Sequence, residues 1–185
     1  PLNIRALRRI MDAYSIKHGI QFFAITGNHD PAKPFSKDAG KFDFLGAGGK
    51  PLAILSSTKL IESEFKSELS PIITADIKEW GYKDILNEFS DFGFFPRRNY
   101  RYWETPFSNY TPANFTFKKA KESSLLKNRT YEISNHTLEV PDVSYLVEPV
   151  DGIWLLAIDA NVYVPKVKVS GERNNSNDFR GASIG

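Results

Sequence analysis

The chain has 185 residues, with 41% hydrophobic and 25% charged residues, a composition typical of a folded domain rather than a disordered segment. It contains no cysteine, which excludes disulfides, thiolate metal sites and cysteine nucleophiles. The net charge of +2 is small for a nucleic-acid-binding protein, so nucleic acid is disfavoured as a partner, and no apolar run approaches the roughly 20 residues of a membrane span.

The first predicted element is a helix over residues 3–18. Apolar residues recur there at three- and four-residue steps, and His18 and Gly19 form a basic last turn followed by glycine. Residues 20–26 form a short, continuously apolar run, which predicts a strand buried on both faces. Helix, glycine and strand in this order are the second half of a βαβ unit, so we expect the preceding strand outside this chain.

The middle of the chain predicts shorter elements. Residues 31–49 are rich in glycine and proline and predict a loop, Pro51–Leu55 predicts a strand, and residues 74–89 have helical periodicity interrupted by Gly81. A ring-rich tract over residues 92–117 predicts short strands and loops. Further strands are predicted over residues 130–133, 137–140, 144–149 and 153–158, the last of which is fully apolar.

Three polar residues follow Gly27 directly after the predicted buried strand: Asn28, His29 and Asp30. Ligand sites of open α/β sheets gather at the carboxyl ends of strands. The amide oxygen of Asn28 is a hard ligand suited to a divalent cation, and the imidazole of His29 is suited to protonate a leaving oxygen. Asp30 could anchor the loop or orient that imidazole. The alternative without a functional role is a polar turn between strand and loop, since Asn and Asp are common turn residues.

The block Gly27-Asn28-His29-Asp30 resembles a signature block of the calcineurin-like metallophosphoesterases. The resemblance implies that Asn28 is a metal ligand and that His29 contacts the phosphate and assists the leaving group. It also implies two divalent metal ions, whose identity among Mn, Fe, Zn and Mg it does not distinguish, and a phosphorylated substrate. The implied fold is α/β, part of a two-sheet α/β/β/α sandwich of that family.

The resemblance covers residues 1–35 and 145–165, which are expected to be core-like segments of one incomplete domain spanning residues 1–185. Residues from about 36 to 144 are then a large aromatic-rich insertion. The sequence lacks the upstream Asp-x-His and Gly-Asp-x-x-Asp blocks and the downstream Gly-His-x-His block of the family. The other histidines, His18 and His136, do not lie within any such block. We therefore expect an internal fragment, inactive alone, whose flanking segments in the same protein complete the metal site.

Other polar clusters have two interpretations each. A phosphorylated substrate could be contacted by Arg97, Arg98 and Arg101. The favoured interpretation is an alternating strand whose aromatic rings point inward and whose arginines are solvated. The glycine-rich run at residues 46–50 lacks the spacing of a phosphate-binding P-loop and is better interpreted as a flexible loop. Asp159 is better interpreted as a strand-end turn than as a metal carboxylate.

Two functional hypotheses remain from the sequence. The first is metal-dependent hydrolysis of phosphate mono- or diesters by the parent protein. The second is a non-catalytic binding module derived from a phosphoesterase, with the aromatic insertion as its recognition surface.

Overall fold

A computed structural model describes residues 2–27, 36–61, 69–133, 138–165 and 179–183. The chain divides into two compact units. The first comprises Pro1–Lys17 and Lys33–Glu88, and the second comprises His18–Ala32 and Phe89–Gly185. Both α-helices and small mixed or antiparallel sheets occur among the described residues, so the expected α/β class is confirmed. None of the helices in this described part is long and apolar enough to cross a membrane.

Among its described residues, the first unit contains two α-helices and one small sheet. Its elements are α1 (Leu2–His18, whose last residue belongs to the second unit), β1 (Gly40–Leu45), β2 (Pro51–Leu55), β3 (Ile72–Ile73) and α2 (Tyr82–Glu88). β1 pairs antiparallel with β2, and β2 pairs parallel with β3. The buried apolar side chains of this unit come from β2 and α2: Ala53, Leu55, Tyr82, Ile85 and Leu86.

Helix α1 confirms the helical prediction for residues 3–18. It ends at Gly19, whose φ of 66° is left-handed and closes the last turn as the sequence predicted. The Arg8 guanidinium holds the helix within the first unit, because its Nε donates to Asp12 at 2.8 Å and its Nη1 donates to the carbonyl oxygen of Glu88 at 2.7 Å. No residue of α1 is fully buried.

Two predictions for the first unit need correction. Within the loop predicted for residues 31–49, residues 31–35 lie outside the described residues. Gly40–Leu45 is a strand, because Phe42 and Phe44 alternate with polar residues and the segment pairs across a turn with β2, where Phe44 lies opposite Leu52. The helix predicted over residues 74–89 is shorter, Tyr82–Glu88. The Asp84 carboxylate accepts from the amide of Gly81 at 2.9 Å, which makes this glycine the start of the helix rather than an interruption.

The second unit contains the remaining elements. They are β4 (Tyr102–Glu104), α3 (Phe117–Ser123), β5 (Thr130–Ile133), β6 (Leu138–Pro141), β7 (Tyr145–Val150), β8 (Ile153–Ala157), β9 (Asn161–Pro165) and β10 (Phe179–Ser183). β4, β7 and β8 form an antiparallel sheet in that order, while β5–β6 and β9–β10 are separate antiparallel pairs. The strands predicted near β5, β7 and β8 are confirmed. Of the short strands and loops predicted for residues 92–117, one strand, β4, is present, and the rest is loop and short helical turns. Of the strand predicted at residues 137–140, residue 137 lies outside the described part and the rest belongs to β6.

Buried side chains lie on both faces of the β4–β7–β8 sheet, with Trp103 on one face and Tyr102 on the other. Trp103 of β4 faces Val147 of β7, and both are fully buried. The Trp103 indole donates from Nε1 to the carbonyl oxygen of Gly93 at 2.7 Å, so its one polar atom is paired inside the core. Tyr145, on the same face of β7, is also buried.

The burial expected for two apolar runs is wrong. Residues 20–26 form no strand, and Ile20 and Ile25 are 41% and 40% exposed. β8 is a strand, but it lies at the edge of its sheet, where Trp154 and Leu156 are 46% and 67% exposed. Apolar composition alone does not distinguish a strand with neighbours on both sides from one at an edge.

Candidate functional site

The candidate catalytic residues Asn28, His29 and Asp30 lie outside the described residues. Gly27, the first residue of the block, is described and exposed. The structure therefore bears on this site through the segment that leads to it, residues 20–27, which follows the end of α1. Within the second unit this segment has a defined set of contacts.

Both backbone polar groups of Ala24 are paired. Its amide donates to the carbonyl oxygen of Phe92 at 2.8 Å, and its carbonyl oxygen accepts from the Tyr145 hydroxyl at 2.7 Å. The flanking rings of Phe22 and Phe23 lie 5.5 Å from Phe92 and 6.0 Å from Tyr100, measured between ring centroids. Side-chain packing and two hydrogen bonds thus replace the strand pairing that the sequence predicted.

Gly93 allows this arrangement. Its φ of 96° is left-handed, and a Cβ at this position would overlap the Tyr145 hydroxyl. Burial raises the pKa of Tyr145 above its ordinary value, so the hydroxyl stays protonated at neutral pH and can donate to Ala24. Gly93 and Tyr145 together hold residues 20–27, the segment that leads to the candidate loop, in place.

Replacing Tyr145 by Phe should free the carbonyl oxygen of Ala24. We expect a loss of about 1 kcal/mol in the free energy of unfolding and faster hydrogen exchange at the Ala24 amide, because one of the two tethers of residue 24 is removed. Tyr102→Phe is the matched control, since the Tyr102 hydroxyl donates to Glu104 and not to this segment. Equal exchange rates at Ala24 in both variants would show that the hydroxyl does not hold residues 20–27.

The three candidate substrate arginines are exposed on the second unit. Arg97 begins a turn closed by the amide of Tyr100, and the Arg98 guanidinium stacks on Phe117 at 4.8 Å from the ring centroid. Arg101 precedes β4, and its amide pairs with the carbonyl oxygen of Glu148. The neighbouring rings of Tyr100, Tyr102 and Trp103 are buried, as the favoured interpretation expects. The alternating strand of that interpretation is wrong for residues 97–101, because the strand comprises only Tyr102–Glu104. A substrate contact by these arginines stays a prediction.

The described residues contain no group of three or more His, Asp or Glu side chains that could hold a metal ion. These residues therefore do not by themselves fit a dimetal centre, and its ligands would have to come from the 28–30 block and from other segments. Asp159 follows β8, and its amide donates to the Ser144 hydroxyl at 2.9 Å, which agrees with the interpretation as a strand-end turn. The run at residues 46–50 forms the tight turn between β1 and β2.

Arg129 is a feature that the sequence did not indicate. Its side chain is fully buried, with the guanidinium carbon 5.0 Å from the Phe95 ring centroid and 5.9 Å from that of Trp103. None of its guanidinium nitrogens has a hydrogen-bond partner among the residues that the structure describes. Burial lowers the pKa of Arg129 to about 10 although Asp142 opposes the shift, so it remains charged at neutral pH. Attraction to the two rings offsets part of the desolvation cost.

Arg129 follows Lys127 and Asn128 in a polar stretch, and no local signal distinguishes it from a solvated cation. Only the packing of the second unit reveals its burial. Comparisons of the chain with protein-family models, with curated proteins and with solved structures found no match.

Proposed function

We propose that the complete protein hydrolyses phosphate mono- or diesters with the help of divalent metal ions, and that this chain supplies the Gly27-Asn28-His29-Asp30 loop. The observation that carries the proposal is this block itself, which directly follows a helix and a short apolar segment. The anchoring of Ala24 by Phe92 and Tyr145 supports it, because a catalytic loop needs a fixed approach.

The residues of the loop have distinct roles in this proposal. The Asn28 amide oxygen contributes one neutral ligand to the metal site, and Gly27 allows close approach of the backbone to a bound phosphate. His29, protonated at Nδ1 and Nε2, donates a proton to the departing oxygen of the ester. Asp30 orients the imidazole. Bound divalent ions would supply stabilisation of the negative charge on the phosphoryl group.

The remaining metal ligands would come from flanking segments of the same protein. In the first unit, one face of α1 presents Leu7, Ile10 and Tyr14 with 50%, 57% and 53% exposure. In the second unit, the edge strand β8 presents Ile153 and Trp154 to solvent. Exposed apolar side chains of this kind are typical of a surface that packs against further protein. These two surfaces support an incomplete domain, a large part of whose sandwich lies in other segments.

Metal removal tests the proposal. The full-length protein should hydrolyse p-nitrophenyl phosphate or bis(p-nitrophenyl) phosphate, lose that activity in EDTA, and regain it with Mn²⁺, Zn²⁺ or Mg²⁺, because the ions stabilise charge in the transition state. The 185-residue chain alone is the control and should be inactive with every metal. Absence of hydrolysis by the full-length protein with all three ions, or hydrolysis that EDTA leaves unchanged, would contradict the proposal.

A second candidate function is binding without catalysis. It is favoured by the aromatic cluster of the second unit, where the Tyr102 ring lies within 5.5 Å of the Phe115 and Trp154 ring centroids. Trp154 is partly exposed and therefore accessible to a partner. A full-length protein that purifies without bound metal and turns over neither substrate, but binds a ligand through Trp154, would favour this alternative.

A further inference from the structure

A cavity of about 280 Å³ lies in the second unit beside the β4–β7–β8 sheet. Its wall includes Glu104, Thr105, Pro106, Ser108, Leu146 and Leu156. This volume is near the lower end of the range of small-molecule sites, which begins at about 300 Å³. The cavity therefore suits a small ligand or a single side chain rather than a large cofactor.

Three of these residues form one row across the sheet. Glu104 of β4 pairs with Leu146 of β7, and Leu146 pairs with Leu156 of β8. Residues directly opposite each other in an antiparallel sheet project from the same face. The row therefore places a carboxylate at one end and two leucines beside it. Leu156 is 67% exposed, so this apolar end is open to solvent.

The carboxylate of Glu104 is the charged group of the cavity. Its Oε2 accepts from the Tyr102 hydroxyl at 2.6 Å, and no cation forms an ion pair with it among the residues that the structure describes. Burial, and next the hydrogen bond to Glu104, raise the pKa of Tyr102, so this hydroxyl remains a donor at neutral pH. A partly buried carboxylate with one neutral donor retains acceptor capacity for a cation.

The turn after β4 forms another part of the wall. The Ser108 hydroxyl accepts from the Thr105 amide at 3.0 Å, and the Thr105 hydroxyl accepts from the Phe107 amide at 3.2 Å. Both side chains therefore hold the turn in place, and Pro106 between them adds an apolar contact surface. The cavity combines one carboxylate with an apolar part of its wall, formed by Pro106, Leu146 and Leu156, and this pairing is complementary to a cation on a hydrocarbon stem.

We propose that this cavity binds a primary ammonium or guanidinium group carried on a short apolar chain. The cation meets the Glu104 carboxylate, and the methylene groups lie over Leu146 and Leu156. Two sources have this chemistry, a free alkylamine and the lysine or arginine side chain of a partner protein. The site is independent of the phosphoesterase proposal, because none of its residues belongs to the 27–30 loop.

Binding of matched probes to the full chain tests the proposal. n-Hexylamine and the neutral n-hexanol differ in charge and little in size, and their dissociation constants can be measured by NMR titration. We expect n-hexylamine to bind at least about tenfold more tightly, because a charge-assisted hydrogen bond to Glu104 is available only to the amine. Equal affinities, or no binding of either probe, would overturn the assignment.

Glu104→Gln removes the charge of this side chain and keeps its shape, because the amide oxygen still accepts from the Tyr102 hydroxyl. Unfolding midpoints verify that the variant is folded. Its preference for n-hexylamine over n-hexanol should disappear. Glu148→Gln is the matched control: Glu148 pairs with Tyr102 on the same sheet but does not line the cavity. A preference that survives Glu104→Gln, or that is lost equally in Glu148→Gln, would refute the role of Glu104.

Binding of a lysine peptide distinguishes the two sources of the cation, a free alkylamine and the side chain of a partner protein. If acetyl-Thr-Lys-Thr-amide binds at least about tenfold more tightly than n-hexylamine, the natural ligand is a protein side chain, because backbone contacts then add to the affinity. If the free amine binds equally well or better, it is a small molecule. A peptide with norleucine in place of lysine should bind no better than n-hexanol, and equal binding of both peptides would overturn the proposal.

Discussion

Replacing Trp103 by Ala is expected to lower the free energy of unfolding by about 3–5 kcal/mol. Its side chain is fully buried against Val147, its indole donates to the carbonyl oxygen of Gly93, and its ring lies 5.9 Å from the Arg129 guanidinium. The substitution would leave a cavity, an unpaired carbonyl group and a buried cation with one aromatic neighbour fewer. Urea denaturation followed by circular dichroism measures the loss.

Trp154→Ala is the matched control for Trp103. It removes the same side chain from the same sheet, but Trp154 is 46% exposed, so the loss should be clearly smaller. If Trp103→Ala does not fold, Trp103→Phe keeps most of the ring and should give an intermediate loss. Similar unfolding midpoints for the Trp103 and Trp154 variants would show that the core of the second unit is not centred on Trp103.

Replacing His29 by Ala in the full-length protein is expected to lower kcat by about 10²–10⁴-fold, the range for loss of a general acid. Metal content should be unchanged, because His29 is proposed to serve the leaving group and not the metal. Asn28→Ala should instead lower both metal content and turnover. Steady-state kinetics with an alkyl phosphate ester, together with metal analysis of the purified variants, distinguishes the two roles.

His18→Ala is the control for the histidine substitution, since His18 lies at the end of α1 and outside the 27–30 block. Its turnover should match that of the unmodified protein. A further check compares leaving groups. Because p-nitrophenolate needs little protonation, His29→Ala should lose more activity on an alkyl phosphate ester than on bis(p-nitrophenyl) phosphate. Unchanged turnover of His29→Ala on both substrates would remove this residue from the mechanism.

Several elements were predictable because their signals are local. Helix α1 was predicted by its apolar period and by the glycine after it, and β2 and β7 were predicted by short apolar or alternating runs. The Gly27-Asn28-His29-Asp30 block was likewise recognised from adjacent residues. Its proposed chemistry therefore depends on the sequence, and the structure adds only the anchoring of the segment before it.

Other features depend on contacts between distant residues, and these the sequence did not indicate. Residues 20–26 are as apolar as a central strand, yet Ala24 is held by Phe92 and Tyr145, which lie far along the chain. β8 is exposed although β4, the other edge strand of the same sheet, is buried, and no property of the residues of β8 specifies this difference.

The same reason applies to Arg129 and Glu104, which are ordinary charged residues in the sequence. Arg129 is buried because Phe95 and Trp103 enclose it, and Glu104 faces a cavity because strand register aligns it with Leu146 and Leu156. Local sequence thus indicated several of the helices and strands, and the residues whose side chains carry the candidate chemistry. Tertiary structure decided which groups lose contact with water, because burial depends on neighbours brought together only by folding.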